Sequence, residues 1–415
     1  MIRRPPRSTL DRSSAASDVY KRQALTMFNR KSKLSKPMKM VSPFRVMTVM
    51  HRASTFEAEG VKVIHMEVGE PDFVTADPIV NSAKTAMSMG KTQYTLAPGI
   101  IELREKIALH YRGKYSVEID PSRILITPGA SGGLSLLAHM LVSPNDGILI
   151  PDPAYPCVRN FVHMMSAEPQ LMPVDIAQNF QPNIQQLNDQ RKENTVGIWL
   201  ASPSNPTGTI LGRPEMENIT QWANQNGLHL LVDEIYHGLQ YVVDLPSILE
   251  FNEEAFVVSS FSKYFGMTGW RLGWIVVPDA FIEMANILAQ NLFISASSIA
   301  QYAALGAFTN EAEEVFEERR IAFQQRKSFL ATELRSLGFV IPTEIQGAFY
   351  IYADISRFSE DSEHFCNSLL NEHHVAITPG TDFGQYKASQ HVRFAFTTSM
   401  ENLELGIERL KIALK

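Results

Sequence analysis

The sequence predicts an α/β protein: a large domain built on a mainly parallel sheet covered by helices, followed by a smaller α+β domain. Three observations carry this. Short, continuously apolar segments at 124–127, 148–150, 196–200, 228–232 and 255–259 alternate with helical stretches such as 134–141 and 215–226, as strands buried on both sheet faces do. At 415 residues the chain exceeds what one hydrophobic core usually supports, so two domains are expected. After residue 310 the pattern changes to one long charged helix (311–337) and two strand-like segments, 349–355 and 392–396, which suit a smaller α+β unit.

Taken in order, residues 1–26 stand apart. Residues 1–24 hold six basic and two acidic residues with several serines and no apolar periodicity. They read as a leader, an organellar transit peptide or translated adapter sequence, and the protein is expected to begin near Met27. A helix is expected before Gly60, with Phe44, Met47 and Met50 at three-residue steps. Residues 62–68 suggest a strand that runs into the turn at GEPDF, and 81–89 and 100–111 suggest helices. The expected division is 27–75 as the first part of the small domain, 76–309 as the large domain and 310–415 as the rest of the small domain.

Composition narrows the function. Apolar content of 45% and a charged fraction of 20% are ordinary for a globular protein. A net charge of −6 gives no reason to invoke nucleic acid or an anionic membrane, and no apolar run approaches a spanning helix. The two cysteines, Cys157 and Cys366, are too far apart in sequence to suggest a disulfide framework or a Cys-based metal site, so a reducing, cytoplasmic setting is the default and no metal is expected.

The candidate chemistry falls just after the apolar strands, at the carboxyl edge where open α/β sheets bind ligands. The stretch SSFSKYFGMTGWRLGW (259–274) sets Lys263 among serines 259, 260 and 262, with Arg271 eight residues on. A lysine near a cation and partly desolvated becomes a nucleophilic amine, and an arginine fork suits a phosphate. Together they suggest a phosphate-bearing aldehyde cofactor held through a Schiff base. Asp233 closes an apolar strand; it is either a helix cap or a buried carboxylate that keeps a ring nitrogen cationic. Tyr236 is either a core aromatic or a phenol donor, and Asn205 in ASPSNPTG lies in a turn that would mean little alone. TPGASGGL (127–134) offers free N–H groups at a helix start but lacks the GxGxxG and P-loop patterns.

These residues closely resemble the fold-type I pyridoxal-phosphate enzymes, and within them the class I/II aminotransferases. GEPDF, TPGASGGL, DPAYP, SPSNPTG, DEIY, SFSKYFGMTGWRLGW, GAFY and VRFAF occur in that family's order over roughly 40–415. The resemblance implies a large domain with a seven-stranded, mainly parallel sheet and pyridoxal 5'-phosphate as cofactor. Lys263 looks like the Schiff-base lysine and later the proton carrier; Asp233 would pair with the pyridine nitrogen, and Asn205 and Tyr236 with the ring oxygen. Tyr155 would stack on the ring. The phosphate would meet the N–H groups of Ala130 and Ser131, the Ser131 and Ser260 hydroxyls and Arg271, with Tyr94 reaching in from a second subunit of a homodimer. Arg393 would clamp the substrate α-carboxylate near the Gly69 backbone, its plainer role being a strand-end salt bridge.

The implied reaction moves an amino group between an L-amino acid and a 2-oxoacid by a ping-pong route. C–S β-lyases on cystathionine or cysteine conjugates share the same motifs. Transcription regulators also carry this domain, but behind a winged helix for which some 50 residues before GEPDF are too few. Some aspartate-specific members have lysine where Ser131 stands, so strict dicarboxylate specificity is not expected. The motifs leave the donor side chain open.

Overall fold

A computed structural model describes residues 34–242 and 244–415; the leader and the expected start near Met27 lie outside them. Within 34–42, Pro37–Lys39 form one 3-10 turn. The rest is a single compact unit.

Its strands, in chain order, are β1 (Ile64–His65), β2 (Ile124–Thr127), β3 (Gly147–Asp152), β4 (Glu168–Pro173), β5 (Thr195–Ala201), β6 (His229–Asp233), β7 (Phe256–Ser260), β8 (Gly273–Val276), β9 (Tyr350–Asp354), β10 (Val375–Ala376), β11 (Thr378–Pro379) and β12 (His391–Ala395). Seven of them form one sheet in the order β2-β8-β7-β6-β5-β3-β4. Only β8 runs antiparallel, against both β2 and β7. The expected mainly parallel, seven-stranded sheet is what folds.

Every residue of β2, β3, β7 and β8 is buried, so each strand needs apolar side chains on both faces. Two strands had no sequence signal. β4 reads EPQLMP; its prolines and polar residues are tolerated because it is an edge strand. β8 shares Gly273 and Trp274 with the end of the lysine and arginine stretch, which the sequence reading assigns to chemistry, and ends only two residues beyond it. The expected strand at 62–68 shrinks to β1, which pairs parallel with β10.

Two helices matter for the site: α1 (Arg45–Ala58) and α2 (Gly129–Leu141). α2 starts five residues before the sequence suggests, because its glycine-rich first turn packs against other backbone. A Cβ on Gly273 would lie 2.8 Å from the Ala130 nitrogen. The long helix α3 (Asn310–Leu337) follows the sequence reading. The Thr309 hydroxyl caps it, Glu311 and Glu313 sit at its positive end and Arg335 at its negative end.

β9, β11 and β12 make the antiparallel sheet of the smaller α+β domain. Its core holds Phe339, Phe349, Ile351, Phe394 and Leu403, and also Ile64 and Met66. The segment around β1 therefore packs with the C-terminal elements, 300 residues away in sequence. Among the described residues no helix is long and apolar enough to cross a membrane.

Candidate active site

At the carboxyl ends of β5, β6 and β7 lies a cavity of about 370 Å³ that receives Lys263, Asp233, Tyr236, Asn205, Tyr155, Ala130, Ser131, Arg271, Arg393 and Gly69. Ten of the twelve residues singled out in the sequence thus meet in one place, from segments as far apart as GEPDF and VRFAF. A larger cavity of about 880 Å³, beside Lys114 and Glu317, contains none of them.

Lys263 follows β7 in a turn, and its Nζ donates to the Gly69 carbonyl at 2.7 Å. Burial, with Arg393 and Arg271 nearby, lowers its pKa to about 8 against the pull of Glu70 and Asp233. About a tenth of the amine is then uncharged at pH 7, far more than for an ordinary lysine, and available as a nucleophile. Gly69 must be glycine, since a Cβ there would overlap the Tyr350 hydroxyl.

Asp233 ends β6 with 5% exposure. Its Oδ1 accepts from the Ile235 N–H at 3.0 Å, and burial raises its pKa to about 7 despite that bond and Lys263. A buried carboxyl with so little compensation suits a cationic ring nitrogen, which would restore its charge.

The opposite end of the cavity is an anion cradle. α2 begins at Gly129 with no side-chain cap, leaving first-turn N–H groups and the helix's positive end unpaired. Gly129 has φ +70°, and a Cβ there would come within 2.6 Å of Arg271 Nη2. Helix end and guanidinium approach each other only because that side chain is missing. Arg271, itself left-handed at φ 55°, donates through Nη1 to the Thr268 carbonyl at 3.0 Å. A helix N-terminus beside a guanidinium fits a phosphate monoester.

Arg393 projects from β12 with 4% exposure. Its Nη1 donates to Asn205 Oδ1 at 2.8 Å, and its Nη2 to the Glu67 carbonyl and, at 3.4 Å, to Thr378 Oγ1. Its Nε–H is buried without a partner. The guanidinium lies 4.2 Å from the Tyr350 ring centroid and 4.7 Å from that of Phe383. No carboxylate pairs with it among the described residues, so the strand-end salt bridge is excluded. An unpaired donor on a walled-in fork is suited to a ligand carboxylate.

Two of the twelve lie outside the lining. The Ser260 hydroxyl is buried 3.0 Å from both the Leu272 carbonyl and Ser262 Oγ, and it accepts from the Ser262 N–H; Ser262 lines the cavity instead. Tyr94 is 81% exposed and borders a separate groove with Lys91 and Tyr302. Tyr236 is buried with its hydroxyl 3.0 Å from that of Tyr350. Tyr155 stacks on Phe44, with centroids 6.0 Å apart and planes at 28°. Phe44, Val46 and Met47 join the lining without having been anticipated. The spacing of Phe44 and Met47, with Met50, reads as helix periodicity, Val46 carries no signal of its own, and nothing local ties that helix to a site.

A mainly parallel seven-stranded sheet with a lysine, a buried carboxylate and an anion cradle at its carboxyl edge defines a fold-type I pyridoxal-phosphate enzyme. The comparisons agree. The family described as Aminotransferase class I and II matches residues 61–410. A (5-formylfuran-3-yl)methyl phosphate transaminase of Methanocaldococcus jannaschii is 38% identical, over 91% of this chain and 98% of its own. A valine–pyruvate aminotransferase of Mycobacterium tuberculosis is 34% identical, over 89% and 96%. The crystal structure of an aminotransferase from Mycobacterium tuberculosis superposes with a TM-score of 0.89 at 33% identity, covering 92% of this chain and 98% of that one. The chain belongs to the class I and II aminotransferases, which are pyridoxal-phosphate-dependent.

Proposed function

We propose that the enzyme is a homodimer that exchanges an amino group between an L-amino acid and a 2-oxoacid in two half-reactions, with each half using the same cavity. The observation that carries this is the placement of the Lys263 amine, the Asp233 carboxyl and the unsaturated Arg393 fork around one space, with an anion cradle at its far end. Bound pyridoxal phosphate supplies an electron sink for charge at the substrate α-carbon. The chain's own residues do the remainder.

The cradle of Ala130, Ser131 and Arg271 would hold the phosphate and Asp233 would pair with the ring nitrogen. Tyr236 and Asn205 would serve the ring oxygen, and Tyr155 would cover the ring. Lys263 would hold the cofactor aldehyde and, when free, would carry a proton at Nζ; its lowered pKa suits both tasks. Arg393 orients the donor by its α-carboxylate, with Asn205 Oδ1 steadying Nη1. Tyr94 serves the neighbouring subunit. Its exposure and that of Leu96, at 76%, beside one groove fit a face that a second copy covers.

The described part of 27–75 groups with 310–415, since Ile64 and Met66 share its core and the Glu67 carbonyl accepts from Arg393, while the Gly69 carbonyl reaches across to Lys263 of the large domain. Cys157 and Cys366 are both unpaired, in keeping with a cytoplasmic enzyme. No observation favours the C–S β-lyase alternative. Initial rates with varied donor and oxoacid test the reading: parallel double-reciprocal lines are expected, and intersecting lines contradict it.

A further inference from the structure

The transaminase reading accounts for the α-carboxylate and the cofactor but leaves the donor's side chain without a subsite. α1 supplies one. Phe44, Val46 and Met47 form an apolar ceiling to the cavity, with Met47 still 51% exposed and Phe44 stacked on Tyr155. This ceiling is held from a distance. The N-cap of α1 is Phe44, which has no capping side chain. The missing cap comes from Asp382, 2% exposed, whose carboxylate accepts from the Arg45 N–H at 2.9 Å and the Val46 N–H at 3.2 Å. Arg159 donates to the Asp382 carbonyl, and the Arg45–Glu363 ion pair at 3.0 Å adds a second tie. Without these contacts the first turn of α1 would fray, and the ceiling with it.

Charge points the same way. Among the described residues, three cations line the cavity. Arg393 is taken by the α-carboxylate, Arg271 by the phosphate and Lys263 by the chemistry, while Ser131 brings no charge. A second carboxylate on the donor finds no free cation, whereas a bulky apolar side chain finds an aromatic and a thioether.

We propose that Phe44, Val46 and Met47, positioned by Asp382, form the donor side-chain subsite, and that the preferred donors are amino acids with bulky apolar side chains. The assignment rests on the transaminase reading. It is tested on the holoenzyme by mixing it with phenylalanine, leucine, alanine or aspartate in the absence of oxoacid and following the cofactor absorbance.

Phenylalanine and leucine should react at least about tenfold faster than aspartate at equal, subsaturating concentration. Phe44→Ala should slow phenylalanine by about tenfold or more and alanine by less, with part of the loss recovered in Phe44→Leu. Asp382→Ala should lower the phenylalanine-to-alanine ratio in the same direction. Aspartate as the fastest donor, or a Phe44→Ala enzyme that slows alanine and phenylalanine by one common factor, overturns the subsite. If no amino acid changes the absorbance, the transaminase reading beneath it fails instead.

Discussion

Replacing Asp233 by asparagine should make the cofactor-free protein more stable and the holoenzyme worse. An amide oxygen can still accept the Ile235 N–H that Asp233 accepts at 3.0 Å, so the local turn survives. What disappears is a buried carboxyl whose pKa burial has moved from 3.8 to about 7. Between those values the folded state keeps a proton that the unfolded chain has released, so the stability of the cofactor-free wild type falls as pH rises through that window. At about 1.4 kcal/mol per tenfold change in proton affinity, the cost reaches about 4 kcal/mol above pH 7, of which roughly 3 kcal/mol accrues between pH 5 and pH 8. Urea unfolding of both cofactor-free proteins at those two pH values should show the asparagine variant's advantage growing by that amount. With the cofactor bound the sign inverts, because the ring nitrogen loses its anionic partner, and turnover should fall roughly a hundredfold or more. An advantage that does not change with pH, or a holo variant with wild-type turnover, would refute the role given to Asp233.

Other expectations follow from the same geometry. Arg393→Lys keeps the charge but loses the fork, so kcat/KM for amino acids should drop by about a hundredfold or more, while a simple amine lacking the carboxylate should be equally poor with both enzymes. Gly129→Ala places a methyl 2.6 Å from Arg271 Nη2 at a positive φ, and a titration should show cofactor affinity falling by at least about tenfold. His65 lies 2.7 Å from Glu67 Oε1 and 3.1 Å from Glu57 Oε1; its hydrogen bond to Glu67 is the main cause of a pKa raised to about 9. That stabilisation is fully present below about pH 6.5 and lost as pH rises through 9. His65→Ala should therefore cost about 1 kcal/mol in unfolding at pH 6 and little above pH 9.5.

The sequence was most informative where one physical cause dominates. β2, β3, β5, β6 and β7 have apolar centres because both faces are covered, and residues at or just after their carboxyl ends line the cavity. It was least informative where a partner distant in sequence decides the outcome. β8 is only four residues long and starts two residues after Arg271, β4 survives its prolines only by being an edge, and α2 begins in glycines that local propensity would leave out of a helix. The cover over the cavity was hidden for the same reason. Phe44 and Met47 carry ordinary helix periodicity, and the carboxylate that fixes them is Asp382, 337 residues from Arg45. Ser260 shows what spacing alone leaves out: expected at the phosphate, its hydroxyl also bonds Ser262 and the Leu272 carbonyl and helps shape the turn that presents Lys263.

The account stands on Lys263 as the amine that holds the cofactor. The most direct measurement is borohydride reduction of the holoenzyme, followed by proteolysis and mass spectrometry. A phosphopyridoxyl adduct is expected on the Lys263 peptide, and Lys263→Ala should lose both the adduct and transamination. An adduct on a different lysine, or a Lys263→Ala enzyme that transaminates at near wild-type rate, would contradict it.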